Sequence, residues 1–419
     1  MRNHDDSSRP SVVVLGAGFG GLGAVKQLRK TPVAVTLIDR NDYHTFQPLL
    51  YQVATAELEA TEVGTPARDV LHEHTDWQFH RGSVTGIDLD AKHVQVEGFD
   101  AVPYDYLVVG LGAQVNFFGT KGAAEQAYPL YTMSDAVRLR KHILDTFERV
   151  DKDPHLIDEG AMTFCVVGGG ATGVEIAGAL SELIATELKE DYPNLPVDSA
   201  EVHLYELGPS LLAPFKPKLQ DYAKGALEER GVKVHLQEGV TEVSAGTVQL
   251  KGGQAVKSHT LVWAAGLTAS PVAQLLNVEL TKGRVPVLDD LSLEGHPEVF
   301  VVGDIACIQD GPSGGPLPQL GSVAQQSGVQ AGENIHRMVK GHKSEPFHYK
   351  DKGTMATIGR GAAVVEFKSG RTMTGHAAWI AWLGVHLMLL SGGEEKGLTF
   401  LDWGWNMLAN NRGKRIVLE

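Results

Sequence analysis

The chain has 419 residues, of which 43% are hydrophobic and 21% charged, with a formal net charge of −14. That length exceeds what one hydrophobic core supports, so two or three domains are expected, and the acidic balance argues against a nucleic-acid binder, whose footprint is basic. Cys165 and Cys307 are the only cysteines, so there is no disulfide framework and a reducing compartment is expected.

The opening MRNHDDSSRP is polar, reads as disordered, and lacks the apolar centre of a secretory signal. Ser11–Leu15 reads as a buried parallel strand and the stretch from about Gly20 to Arg29 as a helix, joined by Gly16, Gly18 and Gly21 on the G-x-G-x-x-G spacing. The spacing alone is weak; between a strand and a helix it points to dinucleotide binding. Its glycines permit a tight turn and let a pyrophosphate approach the helix N-terminus. Val33–Asp39 is the next strand, and Asp39, 18 residues past Gly21, is placed to accept hydrogen bonds from ribose hydroxyls. A His-Tyr-Phe-rich loop leads into PLLYQVATAEL (Pro48–Leu58). VTGIDLDAKHVQVEG alternates with period two and predicts a hairpin. Tyr104–Gln114 is a buried strand running into glycine, followed by a charged helix over about Ser134–Val150 and a polar break at Asp151–His155.

A second strand–turn–helix starts at Met162. FCVVGGGATGVEIAGAL carries Gly168, Gly170 and Gly173, with a helix over about Gly173–Lys189. The strand EVHLYE ends on Glu206, 33 residues past Gly173, later than the usual ~20; the long helix and the insert DYPNLPVDSA account for the delay. The residues after Glu206 are Leu207-Gly208-Pro209-Ser210, with no Arg, so a 2′-phosphate would meet a carboxylate and NADH is favoured over NADPH. A helix (Lys218–Arg230), the strand VKVHLQ and a hairpin complete this unit. LVWAAGLTASP then returns toward the first domain, and VFVVGDIACI ends a strand on Gly303-Asp304, where flavoproteins complete a flavin site begun at the N-terminus. Two fingerprints imply two dinucleotides facing each other, and the chemistry that suits them is hydride transfer between a nicotinamide and a flavin.

Glu175 sits in the first turn of the second nucleotide helix. Acids favour helix N-termini, but a pyrophosphate already supplies that charge, so this one is read as orienting the nicotinamide or carrying protons. Cys165, in the strand before the glycines, reads as a small buried hydrophobe. Without C-x-x-C a dithiol relay has no components, which excludes most disulfide reductases. The 17 histidines show no metal-ligand spacing, and no metal is expected.

Four of the six tryptophans (Trp379, Trp382, Trp403, Trp405) lie in the last 41 residues, within HAAWIAWLGVHLMLL and LTFLDWGWNMLANN. The longest apolar run, Ala377–Leu390, is 14 residues and contains His386, short of the ~20 that span a bilayer. From Lys396 onward, Lys396, Arg412, Lys414 and Arg415 outnumber Asp402 and Glu419 by two. This pattern suits helices lying in the interface of an anionic membrane; a dimer interface is the competing reading.

Together LGAGFGGLGAVKQL, NDYHTFQPLLYQVATAEL, YDYLVVGLGA, VVGGGATGVEIAGAL, LVWAAGL, FVVGDIA, DKGTMATIGRGAAVVEF and the Trp-rich tail resemble the type II NADH dehydrogenases, over Ser11 to Leu418. The resemblance implies an α/β fold of two Rossmann-type domains, the NADH domain inserted in the FAD domain. Residues 1–118 and 267–345 would bind FAD, 119–266 NADH, and 346–419 would form strands and membrane-associating helices. By resemblance Gly16, Gly18, Gly20, Gly21, Asp39, Arg40, Pro48, Gly112, Asp304, Ala324 and Gln325 line FAD. Gly168, Gly170, Thr172, Gly173, Glu206 and Gly266 line NADH, and Glu175 is the family's acid in this helix. The quinone motif A-Q-x-A-x-Q-Q falls on GSVAQQS (Gly321–Ser327), where Ala324 and Gln326 match and Gly321, Ser322 and Ser327 depart; Glu175 and Gln326 are the implied catalytic residues.

The implied activity is non-proton-pumping NADH:quinone oxidoreduction at the cytoplasmic face of the cell membrane, as a peripheral homodimer using ubiquinone or menaquinone. Rival readings are a soluble NADH-dependent flavoprotein reductase or oxidase, and an NADH-sensing flavoprotein acting through partner binding.

Overall fold

Two buried β-branched runs, SVVVL and TFCVV, each become the middle of a parallel sheet, as strands covered on both faces require. The computed structural model describes residues 9–72, 74, 76–311, 314–409 and 415. By its internal contacts the chain divides into two units.

The first unit takes the described residues up to His44, then Thr65–Gln114 and Leu267–Lys350. Its six-stranded sheet runs Ser292–Leu293, His296–Val301, Tyr106–Val109, Ser11–Leu15, Ala34–Asp39, Gln78–Arg81, parallel except at the first pair. The helix Phe19–Leu28 packs along the helix Gly321–Val339. Small residues make that approach possible: a Cβ on Gly328 would lie 1.8 Å from the Gly20 carbonyl oxygen, and one on Gly23 2.7 Å from that of Gln325. Val84–Asp88 and His93–Val96 pair antiparallel, as the alternation in the sequence requires.

The second unit comprises Thr45–Gly64, Val115–Gly266 and the described part of 351–419. Its sheet runs Tyr128–Pro129, Thr260–Trp263, Thr163–Val167, Glu201–Glu206, Val232–Leu236, all parallel. The helix Met133–Lys152 starts in a capping box between Thr132 and Asp135, which satisfies two N-terminal donors. The helix Ala171–Leu183 continues through a π-type turn at Ile184–Leu188 into Lys189–Asp191. Thr354–Gly359, Ala362–Glu366 and Thr372–Thr374 form an antiparallel sheet, followed by the tail helices Gly375–Leu389 and Gly393–Ala409.

The division differs from the one expected: residues 115–118 fall in the second unit and 346–350 in the first. Residues 45–64 leave the 1–118 segment and belong to the second unit, where Leu49, Leu50, Val53 and Ala54 are buried and Arg140 pairs with Glu59 at 3.0 Å. The tail is not a region apart. Trp403 Nε1 donates to Gln52 Oε1 at 3.1 Å, and Ala378, Trp382 and His386 form a buried stripe at helical spacing.

Candidate functional site

The two fingerprints have the same geometry. Gly16 and Gly168 open the turns with φ +98° and +111°, values that side-chain-bearing residues rarely adopt. A Cβ on Gly21 would lie 1.7 Å from the Gly16 carbonyl oxygen, and one on Gly173 1.7 Å from that of Gly168. These third glycines close the turn onto the helix. At the middle glycines, Gly18 and Gly170, an added Cβ would meet nothing within 4 Å. Each helix N-terminus therefore presents bare backbone to open space, the cradle a pyrophosphate needs.

Beside each cradle stands a carboxylate fixed by main-chain donors. Asp39 accepts from Ala17 N at 2.7 Å and Asn41 N at 2.8 Å; burial pushes its carboxyl above the ordinary range, against the lowering by those donors and by Arg40. Glu206 accepts from Gly169 N and Gly208 N, both at 2.5 Å. Each carboxylate oxygen carries one such bond and keeps a lone pair for a ribose hydroxyl.

Within the first unit Gly20, Gly303 and Ala324 meet near the start of the helix Gly321–Val339. Gly303, at φ +72°, donates its N–H to Ser327 Oγ at 3.1 Å and abuts Ala324, and Gln319 Nε2 donates to the Asp304 main-chain oxygen at 3.0 Å. A Cβ on Gly20 would touch Val302 and the Ala324 carbonyl oxygen, so this glycine serves helix packing. Gly112, at φ +65°, accepts from Ser270 N. Arg40 is exposed, and Pro48 falls in the second unit, in the turn Gln47–Leu49.

The quinone motif resolves into two kinds of residue. Ser327 is fully buried; its hydroxyl also donates to the Ala324 carbonyl oxygen at 3.0 Å, while the Ser322 hydroxyl meets Tyr349 at 2.8 Å. These departures from the family pattern are internal ties. Gln326, expected to face quinone, is tied to Lys350, donating one amide hydrogen to its oxygen at 3.1 Å and accepting from its N–H at 3.0 Å. Its neighbour Gln325 is exposed, and its side chain makes no hydrogen bond among the described residues.

Glu175 lies one turn into the helix Ala171–Leu183, buried at 8% exposure; Thr172, in the first turn, is exposed. The helix approaches the strand Thr354–Gly359 so closely that a Cβ on Gly178 would lie 1.8 Å from the Ile358 carbonyl oxygen. That contact sets Thr357 N 3.4 Å from Glu175 Oε1. One long hydrogen bond does not offset desolvation, and burial pushes the Glu175 carboxyl up to about 8. It is mainly protonated at neutral pH. Burial first, and Glu175 once it is ionised at higher pH, hold the Tyr51 hydroxyl well above its ordinary range; Tyr51 accepts from Gln52 Nε2 at 3.1 Å. Nothing local in the sequence points to Tyr51 or Thr357 as neighbours of this acid.

Cys165 and Cys307 are both buried and free, and burial raises the Cys165 thiol to about 11, away from the range of a redox thiolate. Among the described residues no cluster suits a metal ion. The tail carries its apolar residues on both faces: Ile380, Met388, Phe400, Leu401 and Trp405 are each more than 60% exposed. No described helix is long and apolar enough to cross a membrane. Trp382 Nε1 and Thr399 Oγ1 are buried with no hydrogen-bond partner among the described residues. Arg415, counted among the basic residues of the tail, is paired with Asp191 at 2.6 Å; Arg412, Lys414 and Glu419 lie outside the described residues.

Residues 10–328 match the family model described as pyridine nucleotide-disulphide oxidoreductase. The chain is 37% identical to a type II NADH:quinone oxidoreductase, Ndh, of Mycobacterium tuberculosis, over 98% of this chain and 91% of that one. It is 31% identical to a type II NADH:quinone oxidoreductase of Staphylococcus haemolyticus, over 88% and 92%. Its fold is similar to the structure of NDH2 from Plasmodium falciparum in complex with NADH, at TM-score 0.88 and 19% identity, over 98% of this chain and all of that one. The family named for a disulphide thus includes this chain, which has no paired cysteines to form one. The chain belongs to the type II NADH:quinone oxidoreductases.

Proposed function

We propose that this chain transfers hydride from NADH to FAD and passes the electron pair to a membrane quinone, without pumping protons. The observation that carries this reading is the kinship along 98% of the chain with relatives of that name, joined to two complete dinucleotide cradles and the lack of any redox dithiol. FAD, when bound, supplies the two-electron chemistry. The residues at hand fit it: open space at Gly18, the carboxylate of Asp39 and the Gly303–Asp304 turn would hold it. NADH goes to Gly168, Gly170, Gly173 and Glu206.

The chain's own contribution is binding, orientation and a proton. Glu206 accepts the adenosine ribose hydroxyls of NADH, and no cation in the residues that follow it invites a 2′-phosphate. Glu175 holds a proton at its carboxyl at neutral pH, one a quinone needs on becoming quinol. Gln325, whose amide is uncommitted, takes the quinone role expected of Gln326, which instead secures Lys350. The exposed apolar face of the tail helices lies in the cytoplasmic interface of the membrane.

Anaerobic rapid mixing tests the reading. NADH bleaches the bound flavin quickly, and a short-chain quinone restores its absorbance within turnover time. If quinone reoxidises the flavin no faster than dissolved oxygen does, the reading is wrong.

A further inference from the structure

One large apolar side chain is placed where folding alone gives no reason for it. Phe118 is 66% exposed, and its backbone sits at φ +51°, a left-handed conformation that bulky residues rarely take. Such positions, when held by their surroundings, cluster at ligand sites. Here the surroundings do hold it. Asn116 Oδ1 accepts from Phe118 N at 2.8 Å, Asn116 N donates to Gly266 O at 3.1 Å, and Trp263 Nε1 donates to Asn116 O at 3.1 Å. The ring itself rests over Gly266, where an added Cβ would lie 2.2 Å from Phe118 Cζ. Gly266 is thus the residue that leaves room for this ring.

The strand order of the second unit says which part of a ligand the ring would meet. Thr163–Val167 lies between Glu201–Glu206 on one side and Thr260–Trp263 on the other. Glu206 marks the adenosine ribose, and the N-terminus of Ala171–Leu183 marks the pyrophosphate. A dinucleotide running from Glu206 across that N-terminus arrives over the residues following Trp263. Those residues already border the glycine turn: a Cβ on Gly168 would meet Ala264 O at 2.8 Å and the Ala265 Cβ at 3.0 Å. Phe118 stands over the next residue, Gly266.

We infer that Phe118 is a binding residue for the nicotinamide half of NADH, its exposed ring contacting the nicotinamide end of the dinucleotide while Glu206 holds the adenosine end. This assignment rests on NADH occupying the second cradle. Calorimetric binding to the oxidised, FAD-loaded enzyme tests it with two probes: NAD+, and ADP-ribose, which lacks the nicotinamide. In Phe118→Gly the ring is gone but the residue takes the left-handed backbone freely, so the turn survives; Phe118→Tyr keeps the ring. The glycine variant weakens NAD+ binding about three- to tenfold, the worth of one lost ring contact, and leaves ADP-ribose within about twofold; the tyrosine variant binds both as the parent does. Equal loss for both probes, or no loss for either, overturns the assignment. Failure of the parent enzyme to bind ADP-ribose strikes the cradle itself, and with it both this inference and the NADH reading.

Discussion

Replacing Glu175 with glutamine removes a proton without removing the hydrogen-bonding shape of the side chain. With burial raising the carboxyl from 4.5 to about 8, roughly nine in ten molecules carry the proton at pH 7 and one in ten at pH 9. If that proton goes to the quinone, flavin reoxidation by a short-chain quinone in anaerobic stopped flow falls about tenfold per pH unit above 8. In Glu175→Gln the rate is low and this break is missing. Stability follows the same acid. The folded protein keeps the proton from pH 4.5 to about 8 while the unfolded chain loses it, so stability contributed by the neutral carboxyl is complete below 4.5 and declines as pH rises to 8. The decline is about 1.4 kcal/mol per unit, roughly 5 kcal/mol in all. The advantage of Glu175→Gln in thermal unfolding therefore grows between pH 5 and 8 and levels off above. A pH-independent difference between the two proteins, with the same kinetic break in both, refutes the account.

Gly18→Ala and Gly21→Ala separate cofactor binding from folding. A methyl at position 18 meets no protein atom, so the protein folds normally but binds FAD at least about tenfold more weakly, read from the flavin-to-protein ratio; at position 21 it strikes the Gly16 carbonyl oxygen and costs about 3 kcal/mol or more, read by thermal unfolding. Gln325→Ala slows flavin reoxidation by quinone and leaves reduction by NADH intact, whereas Gln326→Ala lowers thermal stability by about 1–2 kcal/mol through the lost Lys350 contacts; equal slowing of both half-reactions in Gln325→Ala counts against the quinone role. Leu401→Glu with Trp405→Glu, both 65% exposed, reduces co-sedimentation with anionic vesicles by more than about tenfold and leaves turnover with a water-soluble quinone unchanged. Undiminished vesicle binding rules out that face as the anchor.

The parts of this molecule visible in the sequence are those governed by neighbours in the chain. The glycine spacings, the strand-end acids Asp39 and Glu206, the period-two hairpin and the absence of paired cysteines all depend on a few consecutive residues. What stayed hidden depends on distant ones. Thr357, which supplies the single long hydrogen bond to Glu175, is 182 residues away; Arg415 reaches Asp191 across 224. The segment 45–64 carries apolar residues that either sheet's core would accept, and only the packing against Met133–Lys152 and Ala171–Leu183 decides between them. Gln325 and Gln326 are adjacent glutamines on one helix. Which of them is committed to Lys350 depends on where residue 350 passes, and no local pattern encodes that.

The bond from Trp403 to Gln52 has a practical consequence for any truncation of the tail. Shearing off the last two helices would strip the Gln52 amide oxygen of its donor and disturb the side chain that steadies Tyr51, the phenol coupled to Glu175. A truncated enzyme that turns over poorly would then report this disturbance beside Tyr51 and not only the loss of the tail. Charges placed on the outward face leave Trp403 seated and probe the tail without that disturbance.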